Sequence, residues 1–328
     1  MKRVALFSFI LVLVVVLSAS KKHTTIFIIG DSTAANKSSF DTNPERGWGM
    51  VLQGFFDESI WVDNHAVNGR SSKSFIDEGR WQKVFDKIKP GDYVFIQFGH
   101  NDEKADPRRH TEPGSTFDDN LRKFVRETRL KGGIPVLFNA VVRRNFYQQT
   151  DITIEDESLR NTQYADEIVN SDTLIDTHGA YLLSPRKVAR EMNVPFVDAN
   201  KITHDLEQSM GVDGSRKLHM WFKPDEVPSI PNGRQDNTHY NVYGARIVAG
   251  LLADAIGEEI PVLVKHIRHY DYVVSKQGKG NYLSLQEAVD EAPMGATILV
   301  LDGEWPSPQI TKGKLIKLVK FSDVRIAK

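Results

Sequence analysis

Short runs in which nearly every residue is apolar or β-branched restrict this chain most: Thr24 to Ile29 (TTIFII), Trp61 to Val67, Tyr93 to Phe98 (YVFIQF), Ile134 to Phe138 (IPVLF) and Pro195 to Val197. A strand with one wet face alternates apolar and polar residues, so the nearly continuous runs must be covered on both faces. Amphipathic stretches such as Phe117 to Leu130 and Leu182 to Met192 lie between them and supply that cover. The pattern predicts an α/β protein with a central parallel sheet between two helix layers. The best-marked helix follows Asn241, a capping residue. Val242, Ala245, Val248, Ala249, Leu252 and Ala255 recur on one face, and Gly257 is placed to end it. The polar, acidic stretch from Arg143 to Asp176 reads as a long loop or insertion beside the site.

Composition excludes several classes. With 40% hydrophobic and 26% charged residues in 328, the chain can fill a core and solvate a surface. Length alone would allow about two domains at roughly 150 residues each. The 42 Lys+Arg against 43 Asp+Glu leave no global field toward nucleic acid or anionic lipid. Having no cysteine removes thiol nucleophiles, thiolate metal sites and disulfides. Lys2 and Arg3, the apolar run Val4 to Leu17 and Ser18-Ala19-Ser20 form the pattern of a signal peptide over residues 1–20. The expectation is export to a bacterial periplasm or exterior, with no membrane contact after cleavage; a retained anchor is the alternative.

In doubly wound sheets ligands bind outside the carboxyl ends of strands, and three such ends carry polar turns: Gly30-Asp31-Ser32-Thr33, Asn68-Gly69-Arg70 and Gly99-His100-Asn101-Asp102. Each alone is an ordinary turn. Asp236-Asn237-Thr238-His239, just ahead of the capped helix, completes a set. A hydroxyl becomes a useful nucleophile when a histidine takes its proton and a carboxylate orients that histidine. Ser32 is the candidate nucleophile, His239 the base and then acid, and Asp236 the orienter. The N–H groups of Ser32 and Gly69 and the amide of Asn101 are the candidate oxyanion donors.

The stretches IIGDSTAA, RGWGM, NGRSSKSFIDEGRW, FGHND and DNTHYNVYGA resemble the SGNH, or GDSL, hydrolase superfamily and, more narrowly, its bacterial rhamnogalacturonan acetylesterases, over roughly Thr24 to Ile256. Ser32, Gly69, Asn101, Asp236 and His239 match that family's functional positions. The resemblance implies a three-layer, flavodoxin-like fold in residues 21–258. It also implies removal of O-acetyl groups from a pectic polysaccharide or oligosaccharide, without cofactor or metal. Another acetylated polysaccharide such as xylan, or an idle pectin-binding module, are the alternatives. A lipase would want an apolar groove. No G-x-S-x-G surrounds Ser32, which excludes the ordinary α/β-hydrolase elbow.

An acidic substrate calls for cations at the strand ends. Arg143 and Arg144 after the fourth run, and Lys104, Arg108, Arg109 and His110 after Asn101, are candidates; Trp81 and Trp48 are candidates for stacking on sugar. His266-x-x-His269 lacks a third ligand nearby in sequence and makes a poor metal site. Residues 259–328 form a linker and a short β-rich appendage, in which the segment starting at Val273 resembles the opening of a pectin methylesterase β-helix. A solenoid needs about three stacked repeats, so this piece is not expected to make a β-helix by itself, and no methylesterase activity is expected.

Overall fold

A computed structural model describes residues 23–148, 167 and 169–327. The leader at 1–20 and the middle of the Arg143–Asp176 stretch lie outside the described residues. The main body runs β1 (Thr24–Gly30), α1 (Trp48–Val51), β2 (Ile60–Asn64), α2 (Ser72–Asp77), α3 (Arg80–Phe85), β3 (Tyr93–Gln97), α4 (Thr116–Leu130), β4 (Ile134–Phe138), α5 (Leu183–Met192), β5 (Phe196–Val197), α6 (Ala199–Ser215) and α7 (Val242–Glu259). All strand pairs in this body are parallel, in the order β2-β1-β3-β4-β5. This is the flavodoxin-like order that the family resemblance implies.

The two faces follow from the strands' period of two. Ile26, Ile28, Phe95, Val136 and Phe138 point into one core with Trp48 of α1 and Ala245, Val248, Ala249 and Leu252 of α7. Phe27, Ile29, Val94, Ile96 and Leu137 point into the other, against Phe75, Trp81, Phe117, Leu121 and Phe124 from α2, α3 and α4. Burial on both faces explains why the runs lack alternation. Ladder pairing beside β1 continues past β2, with His65 N–H donating to Ile28 O at 2.8 Å and Val67 N–H to Gly30 O at 3.0 Å, which accounts for the longer run read from sequence.

Asn241 caps α7, its Oδ1 accepting from Gly244 N–H at 2.9 Å. The helix runs past Gly257 to Glu259 and stops at Ile260, whose backbone leaves the helical region before Pro261. Steric conflict between a proline ring and the preceding residue, rather than glycine, sets this end.

After α8 (Pro261–Val264) come β6 (Tyr272–Val274), α9 (Leu285–Glu291), β7 (Thr297–Val300), β8 (Glu304–Trp305), β9 (Lys317–Lys320) and β10 (Arg325–Ile326). The strands pair in parallel as β6-β7-β9 and β8-β10, so β7–β8 and β9–β10 stack as successive coils. Val273, Leu285, Val289, Ile298, Val300 and Trp305 close an apolar core of their own. The coils do not stand by themselves. Arg46 Nε donates to Gly278 O at 3.0 Å, Arg268 N–H to Phe55 O at 2.9 Å and Ser322 N–H to the Glu58 carboxylate at 2.9 Å. The main body thus ties the coils at three points.

Candidate active site

Because β1 lies between β2 and β3, chain connections leave in opposite directions at its carboxyl end and open a crevice there. Gly30 ends β1 where a Cβ would sit 2.6 Å from Gln97 O, so only glycine allows β1 and β3 this approach. The chain then turns. Asp31 Oδ1 accepts from Thr33 N–H at 2.9 Å and Thr33 Oγ at 2.7 Å, which carries Ser32 to the lip of the crevice, 7% exposed.

The Asp236–His239 loop meets Ser32 from the other side of the chain. Asp236 Oδ1 accepts the N–H groups of Thr238 and His239, each at 2.9 Å, and this curl brings His239 Nδ1 to 2.8 Å from Asp236 Oδ2. His239 Nε2 lies 2.8 Å from Ser32 Oγ. An ionised carboxylate only accepts, so Nδ1 carries the proton and Nε2 is left to accept from the serine hydroxyl. Burial pushes the Asp236 carboxyl up, but the His239 imidazole and the Arg234 guanidinium, 2.5 Å from Oδ2, outweigh it and hold the group well below the usual carboxylate range.

Gly69 occupies the left-handed region at φ 73°, which a side chain would strain, in the turn that follows Asn68. Asn101, 2% exposed, is oriented at both ends of its amide: Nδ2 donates to Arg70 O at 3.3 Å, and Oδ1 accepts from Arg109 at 3.5 Å. Next to it Asp102 accepts from Ser72 N–H at 3.1 Å, Ser72 Oγ at 2.5 Å and Thr111 Oγ at 2.9 Å, pinning the β3 turn to the start of α2. Such an arrangement can activate a hydroxyl for attack on an acyl carbon.

The family model for the GDSL-like Lipase/Acylhydrolase family matches residues 28–247, which hold all of these groups. This chain belongs to that family. It is 38% identical over 259 residues to the rhamnogalacturonan acetylesterase RhgT of Bacillus subtilis, a match covering 79% of this chain and 98% of RhgT. It is 32% identical to the probable rhamnogalacturonan acetylesterase YesY of the same organism, over 71% of this chain and 92% of YesY. The solved structure of YxiM, also from Bacillus subtilis, superposes with a TM-score of 0.54 at 24% identity, covering 72% of this chain and 56% of that one, and shares the fold. The GDSL-like chain is a carboxylic ester hydrolase.

Four residues expected to touch substrate in this GDSL-like hydrolase are buried against protein partners. Arg144 is fully buried: it pairs with Glu167, donates to Ser215 Oγ at 2.9 Å and Asn237 Oδ1 at 3.0 Å, and lies over the rings of Phe146 and Trp221. It braces the loop between Asp236 and His239 from behind. Arg143, 3% exposed, pairs with Glu103 and donates to His100 O at 3.3 Å. Trp81, also 3% exposed, packs edge-on against Phe124 and donates to Glu127, so no face is open to a sugar; Trp48 is fully buried. The acids that hold these side chains down come from distant positions, which is why the burial could not be read locally.

A groove of about 570 Å³ begins at Gly69 and is lined by Arg70, Lys73, Arg108 and Arg109 together with Glu78, Asp77 and Asp106, which pair with them. Arg108 and Arg109 were among the candidates; Arg70 and Lys73 were not. A second depression of about 520 Å³ holds Trp221, Tyr243, Arg216 and Lys223 beside Asn241. Among the described residues, no group of three or more His, Asp or Glu side chains could hold a metal ion. His266 bonds Asp57 at 3.2 Å and His269 bonds Asp254 at 2.8 Å, two separate partners. No helix of the described residues is long and apolar enough to cross a membrane.

Proposed function

We propose that this hydrolase removes O-acetyl groups from a pectic, rhamnogalacturonan-type polysaccharide through an acetyl-enzyme on Ser32. The observation that carries the reading is the unbroken chain Asp236–His239–Ser32, with 2.8 Å at both links. The near full-length similarity to RhgT, at 38% identity, supports the substrate class.

Ser32 Oγ attacks the acetyl carbonyl carbon as His239 Nε2 takes the hydroxyl proton. The negative charge that develops on the carbonyl oxygen is met by the N–H groups of Ser32 and Gly69 and the Asn101 amide. The ester C–O bond breaks, the leaving sugar oxygen receives the proton from His239, and acetyl stays on Ser32. Water, deprotonated by His239, repeats the cycle and releases acetate. Asp236, ionised across the working range, stabilises the imidazolium in both halves.

The polymer lies along the groove from Gly69, where its uronate carboxylates exchange with Glu78, Asp77 and Asp106 as partners of Arg70, Lys73 and Arg109. Residues 1–20 act as the export signal; their charged start, short apolar run and small residues support this. The test is acetate release from acetylated rhamnogalacturonan, homogalacturonan and xylan by wild type and Ser32→Ala. Preference for rhamnogalacturonan, lost in the variant, is expected. Preference for xylan would move the substrate assignment, and polysaccharide binding without any acetate release would replace the enzyme reading with a binding module.

A further inference from the structure

Lys37 follows Ser32 by five residues, and its side chain is 2% exposed. A lysine ammonium has three donors and no acceptor. All three have partners: Ser32 O at 2.7 Å, Asn68 Oδ1 at 2.7 Å and Glu45 Oε1 at 2.8 Å. Each belongs to a different part of the site. Ser32 is the nucleophile, Asn68 precedes the oxyanion glycine, and Glu45 leads to the acid. Glu45 Oε2 accepts from Arg234 Nη1 at 2.9 Å, and Arg234 Nη2 donates to the same Asp236 Oδ2 that holds His239. Charges therefore alternate from Lys37 through Glu45, Arg234 and Asp236 to His239.

We propose that Lys37 is a positioning residue that sets Ser32, Gly69 and, through Glu45 and Arg234, the Asp236–His239 pair in register with one another. This rests on the Ser32–His239 reading above. Burying an ammonium is unfavourable, and a buried ion pair adds little stability over apolar side chains of similar volume. What an ammonium supplies that an apolar side chain does not is direction, three bonds fixed in three directions from one atom. Burial lowers the Lys37 pKa and Glu45 opposes this, while Glu45 itself is held below its ordinary value by Lys37, His239 and Arg234 against the effect of burial. The network thus also sets the charge around the imidazole. The charged groups facing it are Asp236 from its own loop, Asp31 from the turn after β1, and Glu45, with Arg234 acting on Asp236 and Glu45 and Lys37 on Asp236.

The test uses the full chain and a neutral aryl acetate, so that it does not depend on the polysaccharide, with Ser32→Ala as control. Lys37→Met leaves an unbalanced negative charge, which makes the imidazolium easier to form. Glu45→Gln leaves a positive one and has the opposite effect. The acid limb of kcat/KM is expected to move up by roughly half a pH unit in Lys37→Met and down by a similar amount in Glu45→Gln. It should return to the wild-type position in the charge-neutral double variant. Both single variants should lose about tenfold or more in kcat with a smaller change in KM, a loss in the range of positioning effects. If Lys37→Met does not fold, Asn68→Ala carries the same expectation for kcat, and Glu45→Gln for the acid limb. Unmoved limbs, limbs that move in the same direction, or a full kcat in Lys37→Met or Asn68→Ala would overturn the proposal. A Ser32→Ala chain that keeps its rate would instead overturn the reading on which it rests.

Discussion

The carboxyl edge of the main sheet and the C-terminal coils are held together in opposite ways. At the sheet edge the side chains that meet are ionisable and hidden: Lys37 and Glu45 are paired at side-chain exposures of 2% and 11%, and the Asp31 and Asp102 carboxyls are fully buried. In the coils the interior is apolar, built from Val273, Leu285, Ile298, Leu299, Val300 and Trp305, and an ion pair such as Arg325–Glu304 stays on the surface at 81% and 74% exposure. An apolar core tolerates small shifts because its contacts have no direction, whereas a buried ionic network has one good arrangement. The difference teaches that directional bonding is concentrated where a reacting carbonyl would have to be met, and non-directional packing is used where nothing reacts.

The comparison is broken most severely at Ser32. Ser32→Ala is expected to lower kcat/KM for acetyl esters by about 10⁴-fold or more while leaving the unfolding midpoint close to wild type, because only one partly buried hydroxyl is lost. A variant with more than a tenth of wild-type activity would contradict it.

Next in size is an effect of a buried carboxyl that resists ionisation. Burial lifts the Asp102 carboxyl from 3.8 to about 7, with Asp31 adding to the rise against hydrogen bonds from Ser72 and Thr111. Between those two values the unfolded chain has lost this proton and the folded chain keeps it. The group therefore lowers stability progressively as pH rises from about 4 to about 7, by up to about 4 kcal/mol, and adds no change above that range. Urea unfolding of wild type and Asp102→Asn across the interval checks this. The variant should lose that part of the slope; identical slopes would show that Asp102 does not titrate there. No such slope is expected from the apolar core of the coils.

Asn101→Ala removes one oxyanion donor and is expected to lower kcat by about 10²–10³-fold. Steady-state kinetics on an aryl acetate will tell: a change confined to KM would assign Asn101 to binding rather than to the transition state. The smallest effect belongs to the other region. Ile298→Val, in the fully buried centre of β7, should lower stability by about 1 kcal/mol and leave kcat unchanged. A change in kcat would show that the coils are coupled to the site and that the two regions are less separate than their packing implies.

The same contrast explains what was legible in the sequence. The strands after Thr24, Tyr93 and Ile134 could be read because residues buried on both faces leave a nearly continuous apolar run, and α7 because its cap and apolar face are local patterns. Ser32 could be placed because strand-end turns converge in a doubly wound sheet, and Asp236 and His239 because a carboxylate stands three residues before a histidine just ahead of the capped helix. The network behind them could not. Glu45 and Arg234 are far apart in the chain, and neither carries a local signature of its partner. The burial of Arg143 and Arg144 is not legible for the same reason, since a cation beside a strand end looks alike whether it faces solvent or a buried carboxylate. The β-rich character of the coils is legible, but their ties to the main body, at Arg46, Glu58 and the approach of Val273 to Gly54, join positions far apart in the chain and leave no local mark.

The central claim is that one hydroxyl, Ser32 Oγ, receives the acyl group. Treatment with a phosphonyl fluoride, which traps an activated serine irreversibly, followed by peptide mass spectrometry and residual esterase assay, tests it most directly. The account predicts one phosphonyl group per chain, on Ser32, with activity falling in step with labelling and no labelling of Ser32→Ala. A label on another residue that abolishes activity, or full activity with Ser32 labelled, would contradict it.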